Sequence, residues 1–251
     1  MTKIALITGA SRGLGRSMAL HLAAKGRDII VTYQSQQAAA EELVASLQAK
    51  GRKAVALPLD TNHSDRFTDF AGQVRACLAQ HWQRDQFDYL INNAGSGVTS
   101  CFGEISEGQL QTMFDQHLKA PCLLSQALLP LICDGGRIVN VSSGLTRFAY
   151  PGFAAYATMK AAVETLSLYM AKELGERKIT VNTLAPGAIE TDFGGGYVRD
   201  TQAVNQAIAE ATALGRVGLP DDIGGAVAAL LDDGAGWINA QRIEVSGGQM
   251  I

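Results

Sequence analysis

Three residues in the middle of the chain have side chains suited to proton transfer at a carbonyl oxygen. Ser143 ends an apolar run, and Tyr156 and Lys160 follow it on a segment of helical character. Tyr156 and Lys160 are four residues apart, so a helix places both side chains on one face. Tyrosine has an ordinary pKa of about 10, and a neighbouring ammonium group lowers that pKa. We therefore expect Tyr156 to be a general acid/base, Ser143 to polarise the carbonyl and Lys160 to tune Tyr156.

A Tyr-x-x-x-Lys pair also arises by chance, as a packed ring beside a solvated amine. A second signal lies near the N-terminus, where residues 8–15 read Thr-Gly-Ala-Ser-Arg-Gly-Leu-Gly between an apolar run and a helical segment. Glycine lets the backbone approach a pyrophosphate, which a helix N-terminus attracts. An ordinary strand-to-helix turn is the alternative. Together the two signals predict a dinucleotide that supplies hydride. The expected contacts are Gly9, Ser11, Arg12, Gly13, Leu14 and Gly15.

The residues after the second predicted strand indicate which dinucleotide binds. An acid there usually accepts hydrogen bonds from the ribose hydroxyls of NAD, and residues 32–40 contain none. Arg12 could instead pair with a 2′-phosphate, with Gln34 and Ser35 donating hydrogen bonds. We therefore expect NADP(H) to be preferred, with NAD(H) as the alternative.

Further polar residues follow the third and fourth predicted strands, at the sheet edge where ligands bind. Asp60 follows the third strand, and Asn92, Ala94 and Gly95 belong to the Asn-Asn-Ala-Gly segment at the end of the fourth. We expect all four to contact the cofactor. For Asp60, a role as a turn cap is an equal alternative.

Short apolar runs alternate with amphipathic segments along the whole chain, as in strands buried on both faces and joined by helices. This alternation implies right-handed crossovers and a parallel sheet. We predict a single α/β domain over residues 1–251, a Rossmann-type doubly wound sheet of about seven strands with helices on both faces. The predicted strands are Ile4–Thr8, Ile29–Thr32, Ala54–Leu57, Tyr89–Asn92, Arg137–Val141, Thr180–Leu184 and Arg242–Val245. The predicted helices are Gly15–Lys25, Ala38–Lys50, Ser64–Gln80, Glu107–Leu131, Phe153–Glu176 and Asp221–Leu231.

The longest break in this pattern contains three consecutive glycines at 194–196. Glycine carries a high entropic cost on ordering. Because the segment follows the carboxyl end of a strand, we predict a mobile substrate lid near 187–219. A flexible linker is the alternative.

Composition excludes several classes of function. The 251 residues carry a formal net charge of −3, and 47% of them are hydrophobic. There is no bulk basic field for nucleic acid, no apolar run long enough for a membrane span, and no signal-peptide core. No cysteine–histidine spacing indicates a metal site. We expect a cytoplasmic protein with reduced cysteines and no metal.

Over essentially its full length the chain resembles the short-chain dehydrogenases/reductases. The resemblance rests on the glycine turn, Asp60, Asn-Asn-Ala-Gly at 92–95, the Ser–Tyr–Lys set and Asn182-x-x-x-Pro186-Gly187. It implies that Pro186, Gly187, Ile189 and Thr191 contact the nicotinamide side and that Tyr156 and Lys160 also bind cofactor. Within the family the chain looks most like bacterial 3-oxoacyl-acyl-carrier-protein reductases, which implies a homotetramer.

The resemblance has one departure close to the chemistry. Where family members commonly carry a fourth catalytic residue, an Asn, this chain has His117. His117 could take part in a proton relay, which would add pH sensitivity near neutrality. It could equally be a packing residue.

The resemblance implies an enzyme that reduces a ketone or oxidises a secondary alcohol. Aromatic residues such as Phe148, Tyr150, Phe193 and Tyr197 could line an apolar substrate pocket. Two alternatives are a 3-oxoacyl-acyl-carrier-protein reductase of fatty-acid synthesis and a non-catalytic NADP(H)-binding sensor.

Overall fold

Seven parallel strands form one sheet in the computed structural model, which describes residues 2–251. Their order across the sheet is β3-β2-β1-β4-β5-β6-β7. Strands β2 and β3 are added on one side of β1, and β4 to β7 are added on its other side. The predicted single-domain, doubly wound fold is confirmed. The strands are β1 Ile4–Ile7, β2 Asp28–Tyr33, β3 Ala54–Pro58, β4 Phe87–Asn92, β5 Ile132–Val141, β6 Thr180–Pro186 and β7 Arg242–Val245.

Helices cover both faces of the sheet. Their bounds are α1 Gly13–Ala24, α2 Gln37–Ala49, α3 Phe67–Trp82, α4 Glu107–Phe114, α5 Ala120–Leu128, α6 Ala154–Glu173, α7 Tyr197–Asp200, α8 Gln202–Glu210 and α9 Pro220–Leu230. Helices α1, α2 and α9 pack on one face, and α3, α5 and α6 pack on the other.

The apolar strands supply both cores because successive side chains of a strand point to opposite faces. In β1, Ala5 and Ile7 belong to the core under α1, while Ile4 and Leu6 belong to the core under α3. All four are fully buried. This two-sided burial explains why the strand reads as a continuous apolar run.

The predicted helix Glu107–Leu131 is wrong in one respect, because it is two helices joined by a wide turn. Residues 115–119 form a π-helical turn in which the Ala120 N–H donates to the Asp115 carbonyl. Pro121 lacks an N–H and cannot donate to the carbonyl of His117, so the regular helical ladder is interrupted here. The extra residue in the turn rotates His117 inward, where its side chain is 1% exposed.

The long segment between β6 and α9 folds over the carboxyl edge of the sheet and carries α7 and α8. Gly194, Gly195 and Gly196 have φ values of 61°, 74° and 80°, in the left-handed region that favours glycine. Along residues 2–251, no helix is both long and apolar enough to cross a membrane. The same residues contain no cluster of three potential metal ligands.

Candidate active site

The glycine turn forms a backbone cradle at the start of α1. Gly9 has a φ of +63°, and a Cβ there would lie 2.8 Å from Ala94 Cα. Gly13 has a φ of +55°, and a Cβ on Gly15 would lie 2.6 Å from the Gly9 carbonyl oxygen. No side chain caps the first turn of α1 and no acid lies in it, so its free amides suit a pyrophosphate. The residues present therefore fit a dinucleotide.

Asn93 holds this cradle, although the sequence did not single it out. Its amide donates to the carbonyls of Thr8 at 2.9 Å and Gly9 at 3.1 Å. Thr8 Oγ1 in turn accepts from the backbone N–H groups of Asn93 and Ala94, both at 2.9 Å. The position of Asn93, a polar residue directly after the end of β4, was the feature of the sequence that could have indicated this role.

The adenosine end of the cleft is lined by Gln34, Ser35 and Gln36, directly after β2. Among the lining residues that the structure describes at this end, none is acidic. This arrangement fits the ribose of a phosphorylated cofactor. Arg12 also lines the cleft, and its guanidinium pairs with Asp192 of the predicted lid at 3.0 Å.

Three of the predicted cofactor contacts do not line the cleft: Gly15 packs behind the glycine turn, and the side chains of Asn92 and Asp60 bind other residues. The Asn92 amide donates to Ser125 Oγ at 2.9 Å and to Asn140 Oδ1 at 2.7 Å, inside the protein beneath the cleft. Asp60 accepts from the backbone and side chain of Asn62 at 2.9 and 2.8 Å, which makes it a turn cap. Neither side chain lines the cleft, whereas Asn62 does. A strand end has two sides, and only one faces the cleft. Contact of Asn92 with the cofactor stays a prediction, and the hydrogen bonds of Asp60 favour the alternative of a turn cap.

The opposite end of the cleft is lined by Pro186, Gly187, Ile189 and Thr191, as the resemblance implied. A Cβ on Gly187 would lie 2.8 Å from Gln249 Oε1, so this turn packs closely on the C-terminal segment. Gln249 Oε1 also accepts from the Ala188 N–H at 2.9 Å.

Arg147, in the loop between β5 and α6, binds the same C-terminal segment. Its guanidinium donates to the carbonyls of Gln249 and Met250 and forms an ion pair with Glu244. The segment after β7 is therefore a wall of the cleft.

The predicted catalytic residues converge at the carboxyl end of β5. Ser143 follows this strand, and its Oγ accepts from the Leu145 N–H at 3.2 Å. Tyr156 lies in the first turn of α6, and Lys160 lies one turn later. Lys160 Nζ donates to the Val141 carbonyl at 2.7 Å and lies 5.6 Å from the centre of the Tyr156 ring. All three residues line one cavity of about 800 Å³ together with the glycine turn.

Burial shifts the pKa values of Tyr156 and Lys160, and the shift of Tyr156 is opposite in direction to our expectation. It raises the pKa of Tyr156 to about 12, while a hydrogen bond with Ser143 acts in the lowering direction. Burial also lowers the pKa of Lys160 to about 7. The pKa of Tyr156 is therefore raised rather than lowered, because desolvation dominates and the Lys160 amine is directed at Val141.

A polar network lies behind the catalytic loop. Ser142 Oγ donates to Glu164 Oε1 at 2.5 Å, and the same oxygen accepts from Arg242 Nε at 2.9 Å. Arg242 also donates to the Ser143 carbonyl at 3.3 Å. This network connects β7 to the loop that carries Ser143, and no local pattern in the sequence predicts it.

His117 lies directly beside the catalytic tyrosine. Its Nε2 is 2.7 Å from the Ser96 carbonyl, which can only accept, so Nε2 carries the proton. Nδ1 is buried and has no hydrogen-bond partner among the described residues. Burial, followed by the charge of Lys160, lowers the pKa of His117 to about 2. The lowered pKa keeps His117 neutral near neutral pH, which favours the packing alternative over a residue that titrates there.

The substrate half of the cavity is apolar. Rings from two loops line it, together with aliphatic residues of the lid. Phe193 packs on Tyr156 with ring centroids 5.6 Å apart. The main lining side chains are Phe148, Tyr150, Phe153, Phe193, Tyr197, Val204 and Ile208. Across the described lining residues of the whole cavity, the charged types are confined to Arg12, Lys160 and Asp192.

Known proteins have similar sequences and the same fold. A family model described as enoyl-(acyl carrier protein) reductase matches residues 9–250. An uncharacterised oxidoreductase of Methylorubrum extorquens is 34% identical over 246 residues, covering 98% of this chain and 97% of the relative. The tetrahydroxynaphthalene reductase PfmaG of Pestalotiopsis fici is 34% identical over 257 residues, covering 98% of this chain and 91% of that protein.

Two solved structures are similar throughout. LugOII, a promiscuous reductase that catalyses keto-reduction at C1 during lugdunomycin biosynthesis, has a TM-score of 0.93 at 36% identity, covering 99% of this chain and 98% of its own. The angucycline C-6 ketoreductase LanV, with bound NADP, has a TM-score of 0.93 at 33% identity, covering 99% of this chain and 95% of its own. The chain therefore belongs to the short-chain dehydrogenase/reductase family of NAD(P)-dependent oxidoreductases.

Proposed function

We propose that the protein uses NADPH to reduce a ketone on a fused-ring aromatic compound. The observation that carries this proposal is the composition of the cavity, in which an aromatic and aliphatic chamber adjoins Tyr156. Planar aromatic compounds pack well on rings such as Phe148 and Phe193. The relatives named for hydroxynaphthalenes and angucyclines act on substrates of this shape.

The chain's own residues divide the chemistry between them. The bound cofactor supplies the hydride. Ser143 donates a hydrogen bond to the carbonyl oxygen as negative charge develops there. Tyr156 is the proton donor, and its raised pKa keeps the hydroxyl protonated at working pH. Lys160 binds the nicotinamide ribose, and its charged form stabilises the tyrosinate that remains after proton transfer.

The other cofactor contacts follow from the cleft. Gly9, Ser11, Gly13 and Leu14 would hold the pyrophosphate, and Gly15 packs against Gly9 and Ala10. Ala94 and Gly95 would also contact the cofactor, and the turn that begins at Pro186 would contact its nicotinamide. NADPH is favoured over NADH because Arg12 and Ser35 lie where a 2′-phosphate would bind and residues 34–36, directly after β2, include no acid.

We assign His117 to positioning. Its neutral Nδ1 is a buried acceptor beside the catalytic pair, and its ring fixes one edge of Tyr156. A proton shuttle through the ring is disfavoured, because Nε2 donates to a carbonyl that cannot pass a proton on.

Substrate panels test the proposed reaction. NADPH oxidation is measured with a 1-tetralone, a hydroxynaphthoquinone, a β-ketoester, a sugar and an acetoacetyl thioester, with Tyr156→Phe as the inactive control. We expect the fused-ring compounds to show kcat/KM values at least about tenfold higher than the others, as one well-filled apolar contact predicts. The fastest turnover with the acetoacetyl thioester would instead support an acyl-carrier-protein reductase. Tight NADPH binding without any turnover would support a sensor.

A homotetramer is the proposed assembly. Exposed apolar side chains support it, since Leu168 and Tyr169 on α6 are 51% and 65% exposed and Trp237 is 99% exposed. Such residues are common at interfaces between subunits. Light scattering coupled to gel filtration measures the mass in solution, and a monomer at micromolar concentration would contradict the assignment.

A further inference from the structure

The side chain of Asp192 joins the lid to the glycine turn. Its Oδ2 accepts from Arg12 Nη1 at 3.0 Å, and its Oδ1 accepts from Arg199 Nη1 at 2.7 Å. Arg12 precedes α1, whereas Arg199 belongs to α7 within the lid. The two arginines, Arg199 first, lower the pKa of Asp192, so its carboxylate stays charged.

The neighbours of Asp192 reach two important parts of the cleft. The Thr191 side chain lies 3.8 Å from where a Cβ on Gly13 would be, so it lies next to the cofactor cradle. The Phe193 ring lies against Tyr156 and covers it. The left-handed glycines 194–196 follow at once and can absorb a rotation of this segment. A change at Asp192 is therefore transmitted to the cover over Tyr156.

The Asp192 carboxylate and the 2′-phosphate of NADPH would compete for the guanidinium of Arg12. It is the cationic side chain among the described lining residues near Ser35, where a 2′-phosphate would bind. A phosphate monoester carries a charge of about −1.5 to −2 at pH 7. It would outcompete and repel a single carboxylate. Asp192 loses little when Arg12 leaves, because Arg199 remains its partner.

We propose that Asp192 is a latch that the 2′-phosphate of NADPH opens. The phosphate takes Arg12 from Asp192, and the freed segment carries Phe193 away from Tyr156 so that the ketone can enter. Asp192 thereby lowers the affinity for NADPH but not for NADH, and it makes NADPH the first ligand to bind. This inference rests on the NADPH preference proposed above.

Calorimetry with adenosine 2′,5′-bisphosphate and adenosine 5′-monophosphate tests the competition without any turnover. Asp192→Asn keeps the shape of the side chain and removes its charge. We expect the bisphosphate to bind this variant about two- to fivefold more tightly than the wild type, the range for one exposed competing ion pair. Binding of the monophosphate should not change. Asp200→Asn is the matched control, because Asp200 pairs with Arg199 and not with Arg12, and it should leave both affinities unchanged.

Hydrogen exchange in residues 193–200 tests the release of the lid. The bisphosphate should speed exchange there in the wild type, the monophosphate should not, and Asp192→Asn should exchange quickly with either ligand. Equal exchange with both ligands in the wild type, or an unchanged bisphosphate affinity in Asp192→Asn, would overturn the latch.

Arg12→Ala separates the two proposals. If it binds the bisphosphate as tightly as the wild type, the proposed mode of NADPH binding fails as well. If it binds weakly while Asp192→Asn behaves as wild type, only the latch fails.

Discussion

The ring of His117 meets the ring of Tyr156 edge to face, with centroids 4.9 Å apart and planes at 88°. This contact exists because the π-helical turn at 115–119 directs His117 into the protein rather than along the surface of a regular helix. The catalytic tyrosine is therefore held between a neutral imidazole on one side and Phe193 on another. Both neighbours restrict the ring without adding charge.

The buried state of His117 makes the stability of the protein depend on pH in a defined window. The pKa of His117 is about 2 in the folded protein and 6.5 ordinarily. Between these two pH values the imidazole is protonated in the unfolded chain but not in the folded one. The stability is complete above pH 6.5 and falls as the pH drops below it, by about 1.4 kcal/mol per unit. We expect the free energy of unfolding to decrease by about 2 kcal/mol between pH 7.5 and 5. Urea denaturation of the wild type and His117→Asn measures this, and an acid loss of equal size in both would contradict it.

Lys160 predicts the pH dependence of cofactor capture. With a pKa of about 7 in the free protein, its ammonium group is lost as the pH rises through neutrality. We expect kcat/KM for NADPH to fall above pH 7 by up to about tenfold per unit, since this ratio reports groups of the free enzyme. Arginine stays charged, so Lys160→Arg should lack this fall. The dissociation constant of NADPH, measured by fluorescence without turnover, gives the same comparison. A fall of the same size in the variant would exclude Lys160 as its cause.

Gly95 and His117 should be coupled in stability. A Cβ on Gly95 would lie 2.4 Å from His117 Cε1, so Gly95→Ala forces the ring to move. We expect this change to cost about 1–3 kcal/mol in the wild type and at least about 1 kcal/mol less in a His117→Ala background. Chemical denaturation of the four proteins measures the coupling. Gly103→Ala is the control, because a Cβ on Gly103 meets no atom within 4 Å. Additive costs for Gly95→Ala and His117→Ala would show that the contact carries no strain.

A negative charge at the end of β2 should reverse the choice of cofactor. Ser35→Asp places a carboxylate on the part of the cleft where the 2′-phosphate of NADPH would bind, and this carboxylate would accept hydrogen bonds from the ribose hydroxyls of NADH. We expect the ratio of kcat/KM for NADPH to that for NADH to fall by about 10- to 100-fold, which corresponds to about 1.4–2.8 kcal/mol. Ser35→Asn has a similar size without the charge and should retain the preference for NADPH. If both variants changed the ratio equally, size rather than charge would set the preference.

The sheet and the main site residues could be predicted because their signals are local. The continuous apolar run of β1 requires burial on both faces, and the glycine turn needs conformations that glycine alone adopts readily. The surroundings of Asn92 and Asp60 could not be predicted, because a strand-end side chain can face the ligand or hydrogen-bond to the protein itself. The pKa of Tyr156 was mispredicted because spacing along a helix shows which groups are neighbours but not how much water they lose. The pairing of Arg12 with Asp192 joins residues that lie far apart in the sequence, so no local pattern could reveal it.

The hydrogen bonds of Arg147 to Gln249 and Met250 make the cleft depend on a segment that is synthesised long after the glycine turn. A nascent chain displays its glycine turn and β1 to β5 long before residue 249 leaves the ribosome. Until then the turn at 187–188 lacks its partner from Gln249, and the substrate wall is incomplete. A chain that has not yet reached residue 249 would therefore hold the glycine turn of the dinucleotide cleft without a complete substrate wall.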